Sequence, residues 1–146
     1  MSTGRSSLQA NDREADAGTG PPSHETAYLA RLEELTSAAE ALETLLSSLQ
    51  ANCEQLRREL SAGRPIFDVV SAVGDEAGRA FRRDVHAATR RFERAMQATR
   101  GQSFRILIDE SGRTVTEVAR DADLSVQMVK RLLAISEPAA NTKALD

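Results

Sequence analysis

From Tyr28 to Leu60 the apolar residues recur in unbroken steps of four and three: Tyr28, Leu32, Leu35, Ala39, Leu42, Leu46, Leu49, Cys53, Leu56 and Leu60. A mean period of 3.5 marks a helix that must bury a seam against another helix. With Leu32, Ala39, Leu46, Cys53 and Leu60 at heptad position a, the residues Tyr28, Leu35, Leu42, Leu49 and Leu56 fall at d. At 1.5 Å per residue the Leu32–Leu60 stretch is about 42 Å long, more than a small domain needs for internal packing. A partner helix is therefore implied, and Leu32, Leu35, Leu42, Leu46, Leu49, Cys53, Leu56 and Leu60 are the candidate dimerisation residues. Few complementary charges flank the seam, and Leu45 at g widens the apolar stripe. Pairing of two copies is the preferred reading, with a hairpin inside the chain or a foreign helix as alternatives.

The segment has clear ends. Ser23 is placed to cap its start, with Glu25 in the first turn where a negative charge suits the helix dipole. Gly63 suits a left-handed stop, and Pro65 cannot continue the helix but can open the next at its first position. The coiled-coil helix is thus expected over 23–62. Residues 1–22 are polar, rich in Gly, Ser, Asp and Ala, and without apolar periodicity, as expected of a disordered tail. After the turn, Ile66, Val69, Val70 and Val73 predict a short linker helix, and Gly74 with Asp75 a stop and a new cap. Phe81, Val85, Ala88, Phe92, Ala95 and Thr99 then recur at helical spacing up to Gly101, so 63–101 reads as a linker helix and a second amphipathic helix.

Charge is unevenly spread. Residues 1–78 hold 6 basic and 13 acidic side chains, residues 79–105 hold 8 and 2, and residues 106–146 hold 5 and 7. The net charge of −3 therefore hides a positive middle. Arg79, Arg82, Arg83, Arg90, Arg91 and Arg94 form that cluster, suited either to phosphates or to Glu33, Glu40, Glu54 and Glu59 of the first helix. Arg90, Arg91 and Arg94 are the candidates for DNA-backbone contact.

The chain has 146 residues, a single cysteine and no hydrophobic run of signal or membrane length, which points to a cytoplasmic protein without membrane partners. Only two of its 19 basic residues are lysine, an association with GC-rich bacterial genomes. No phosphate-binding glycine loop, serine nucleophile elbow or zinc-binding H-E-x-x-H helix occurs. His24 and His86 are isolated, and Cys53 sits on the seam as a small apolar residue. Neighbouring carboxylates such as Glu33–Glu34 point in different directions on a helix and make no acid/base dyad. The expectation is a protein with no catalytic residues, no metal and no cofactor.

Residues 103–136 predict three short helices. Phe104, Ile106, Leu107 and Ile108 form an apolar helix ending near Gly112. Thr114 and Glu117 have the spacing of a capping box for a second helix that turns Val118 and Ala119 inward. Ser125 caps a third, which buries Met128 or Val129, Leu132 and Leu133. The spacing V118-A119-x-x-x-D123-L124-x-x-x-x-V129-x-x-L132 resembles the apolar template of bacterial helix-turn-helix regulators, with Asp123 where glycine is usual. The match covers about 22 residues closely. The wider layout, an N-terminal coiled coil, an Arg-rich helix and a terminal helix-turn-helix, is similar to small actinobacterial proteins of that organisation.

The resemblance implies an all-α transcriptional regulator that binds double-stranded DNA as a homodimer and has no enzymatic activity. It makes 102–136 the DNA-binding domain and 137–146 a flexible tail, and it assigns Ser125, Val126, Gln127, Lys130 and Arg131 to the major groove. Gln pairs with adenine, Arg with guanine, Val with a thymine methyl, and Ser or Lys with phosphate. Thr114 and Thr116 are placed to meet the DNA backbone. Asp121 and Asp123 oppose phosphate unless they are turned away or paired. Two heads spaced about one DNA turn apart are expected on a palindromic site. The alternative is a helical protein-interaction module with no specific DNA binding.

Overall fold

The computed structural model describes residues 22–137. The tails expected at 1–22 and 137–146 lie, except for Pro22 and Glu137, outside the described residues. Among those residues the fold is all-α: α1 (His24–Ser61), α2 (Ile66–Val73), α3 (Glu76–Asp109), α4 (Val115–Asp121) and α5 (Val126–Ser136). None of these helices is long and apolar enough to cross a membrane.

Local chemistry sets most of the boundaries. The Ser23 hydroxyl accepts from the Thr26 amide, and the Asp75 carboxylate accepts from the Gly78 amide at 2.8 Å. Gly63 ends α1 in the left-handed region at φ +86°, where a side chain would be strained. Pro65 occupies the cap position of α2, one residue ahead of the first helical position expected for it.

Antiparallel contacts join α1 to α3 of the same chain. His24 Nε2 lies 3.4 Å from Asp109 Oδ2, the Thr99 hydroxyl donates to the Arg31 carbonyl at 3.2 Å, and Arg91 Nη2 donates to Ser37 Oγ at 3.1 Å. The stripe of α1 that this packing covers is not the a/d seam. Ala38, at g, is fully buried, and Tyr28, Arg31, Leu35, Leu42 and Leu45, at d and g, are half-buried around it. The a residues Leu32, Leu46, Cys53 and Leu60 remain exposed. Small residues are buried on both helices, Ala38 in α1 and Ala95 and Thr99 in α3; such residues allow close approach, and the buried face of α1 turns toward g, where Leu45 extends it.

One boundary differs from the sequence expectation. The second helix does not stop at Gly101, and no separate short helix follows; α3 runs unbroken for 34 residues. Gly101 is buried because α5 crosses directly over it. A Cβ built there would lie 2.8 Å from the carbonyl carbon of Leu132 and 2.9 Å from Cβ of Ser136. That glycine therefore permits a close helix crossing instead of ending a helix.

Candidate nucleic-acid interface

The C-terminal end of α3 supports α4 and α5 through one apolar core. Phe104, Val118, Ala119, Val129 and Leu132 are buried together, with Ile108, Val115, Ala122, Leu124 and Leu133 packed around them. Val129 is the inward residue at the start of α5, and Met128 is 40% exposed, which settles the choice between them.

The start of α4 is held by a reciprocal cap. Thr114 Oγ1 accepts from the Glu117 amide at 3.2 Å, and the Thr114 amide and hydroxyl donate to Glu117 Oε2 at 2.8 and 2.9 Å. Those donors hold the Glu117 carboxyl below the usual carboxylate range, the Thr114 backbone N–H first and its hydroxyl second. The Thr114 hydroxyl is thereby committed to the cap, and Thr116 is exposed.

The link from α4 to α5 turns at Asp123, whose φ of +54° is in the left-handed region. Asp is among the few side chains that accept this backbone, because its short polar group bonds locally. The Asp123 amide donates to the Arg120 carbonyl at 3.2 Å and the Leu124 amide to the Ala119 carbonyl at 2.9 Å, so the last turn of α4 is closed. Asp121 is ion-paired with Arg113, and Arg120 Nε lies 3.6 Å from its other oxygen. Two guanidinium groups therefore offset one of the two carboxylates beside the turn.

Ser125 caps α5 by accepting from the Met128 amide at 3.1 Å. Val126, Gln127, Met128, Lys130 and Arg131 are exposed, opposite Val129 and Leu132, which are 0% and 4% exposed. The far end of α5 is tied down by two arginines. Arg31 of α1 donates to the Ser136 carbonyl and Arg105 of α3 to the Leu133 carbonyl, each at 3.0 Å. These supply positive charge and donors where a helix has free carbonyls. Sequence reasoning passed over both residues, since a contact between Arg31 and Ser136 spans 105 positions and leaves no local pattern.

The arginine cluster divides by face. Arg90 and Arg94 line a shallow groove of about 290 Å³ with Glu93, Gln97 and Ile135 of α5. They adjoin the helix that carries Lys130 and Arg131. Arg91 instead turns to Ser37 on the α1 side. The pairing weighed against Glu33, Glu40, Glu54 and Glu59 does not form among the described residues: Arg79 and Arg83 bind Glu76, Arg82 donates to the Val73 carbonyl, and Glu59 pairs with Arg64.

Comparisons with protein-family models, with curated proteins and with solved structures find no match for the chain.

Proposed function

We propose that the chain is a DNA-binding transcriptional regulator whose α4–turn–α5 unit works as a helix-turn-helix, with α5 entering the major groove. The observation that carries this reading is the two-sidedness of α5: one face sealed in the core, the other offering Gln127, Lys130 and Arg131 beside exposed Val126 and Met128. Gln127 is assigned to an adenine edge and Arg131 to guanine, each worth about 1–3 kcal/mol of discrimination. Val126 and Met128 supply apolar contact to thymine methyl groups, and Ser125 and Lys130 reach phosphates.

Thr116 and the α4 backbone meet the flanking phosphates, with Thr114 acting through the cap it makes. Arg90 and Arg94 extend the positive surface from α5 along α3, and Arg91 is left out of it. Two chains act together on one operator. The second reading, a protein-interaction module, draws its support from the exposed apolar face of α2.

Selection of bound duplexes from a random pool tests the proposal. The full chain is expected to enrich one sequence, and Gln127→Ala combined with Arg131→Ala is expected to lose that enrichment while keeping weak, salt-sensitive binding. Equal enrichment by both proteins, or none by either, overturns it.

A further inference from the structure

The end of the α1/α3 hairpin remote from α4 and α5 carries an apolar surface that no part of the described chain covers. Ile66, Phe67 and Val70 of α2 are 68%, 78% and 62% exposed, and Leu46, Leu49 and Leu60 of α1 are 49%, 41% and 42% exposed. In α2 only Val69 is buried. An eight-residue helix depends on tertiary packing more than on its own propensity; here Val69 supplies that packing, and the rest of the apolar face is left uncovered.

Taken together, the exposed area of these six residues, backbone included, is on the order of 600 Å², at the top of the ~300–600 Å² range of the largest patch on a typical monomer. It approaches the ~800 Å² that each partner contributes to a standard interface. The charges around it have both signs. Glu54 and Asp68 are acidic, Arg57 and Arg82 are basic, and none of the four has an ion-pair partner within the described chain. A contact that repeats itself across a two-fold axis accommodates such a mixture, whereas a patch of one sign would repel its own copy.

We infer that this surface is where a second copy of the same chain docks, so that two hairpins join at α2 and the distal part of α1. The heptad seam as a whole does not serve: Leu35, Leu42 and Leu56 are already half-buried in the single chain. What remains free is Leu46 and Leu60 at a and Leu49 at d, to which α2 adds its own exposed apolar face. The inference stands independently of the DNA reading, since neither α4 nor α5 takes part.

Sedimentation equilibrium of the full chain and of three variants tests it. The unaltered chain is expected to be a dimer in the tens of micromolar range. Phe67→Asp and Val70→Asp are each expected to raise the dimer Kd by about 100-fold or more, as central interface residues do. Both side chains are mostly exposed, so helical content by circular dichroism should be unchanged, which separates dissociation from unfolding. Leu32→Asp, away from α2, should leave the dimer intact. A monomeric unaltered chain overturns the inference, and so does a dimer that survives Phe67→Asp and Val70→Asp or dissociates with Leu32→Asp alone.

Discussion

At Gly101 two residue-scale effects compete. Alanine is favoured over glycine inside a helix by about 1 kcal/mol, yet a methyl group there meets the backbone of α5 at Leu132, which cannot step aside as a flexible side chain could. Overpacking of this kind costs about 1–3 kcal/mol. Gly101→Ala should therefore lower the urea midpoint of unfolding, where propensity alone would raise it. Asp123 presents the opposite case. Its left-handed backbone costs a non-glycine residue up to about 1–2 kcal/mol, less for Asp, so Asp123→Gly should stabilise by a few tenths to ~1 kcal/mol and Asp123→Val should destabilise. The Glu117 carboxyl titrates below its ordinary range because Thr114 donates to it. A depressed folded pKa means that the cap's contribution is present above the unfolded value and is lost as pH falls through the folded one. Protection of the first-turn amides of α4, measured against their intrinsic exchange rate at each pH, should accordingly fall on acidification below the usual glutamate range, and Glu117→Gln should flatten that dependence.

Among the elements, α5 is set by residues distant from it in sequence. Arg31→Met and Arg105→Met each remove a donor from the last-turn carbonyls while keeping the apolar stem, at a cost of about 1.5 kcal/mol or more. Faster exchange of α5 amides, and weaker DNA binding by variants that never touch DNA, are the expected outcomes. Much of this architecture is legible in the chain. Ser23, Asp75, Thr114 with Glu117, and Ser125 announce helix starts because capping is a contact over three residues, and the buried sides of α4 and α5 follow from apolar spacing. What escapes sequence reading is decided between elements. Gly101 reads as a stop until α5 is seen to lie on it, and the a/d seam reads as the buried face until Ala38 is seen to be the point of closest burial. The exposed face of α5 is likewise legible, but Arg31 and Arg105, which hold it, are not.

For the whole molecule, the two proposed functions sit at opposite ends of one hairpin. From Glu76 to Gly101 the rise along α3 is about 38 Å. Joining two copies at α2 and the distal part of α1 therefore sets their α5 helices at most ~75 Å apart, and ~55 Å apart where the Leu46–Leu60 stretches overlap fully, in either case more than the single DNA turn implied by a shared seam. Operators should carry half-sites more than one helical turn apart, and inserting half a turn between them should weaken binding by more than tenfold.

The most direct measurement is the equilibrium affinity of the full chain for its selected duplex and for a scrambled duplex of equal length, across a salt series. At physiological salt the expected result is a preference of ~10³ or more for the selected sequence, with the preference lost when Gln127 and Arg131 are both replaced by alanine. Equal affinity for both duplexes at every salt concentration would contradict the assignment of α5 as a reading helix.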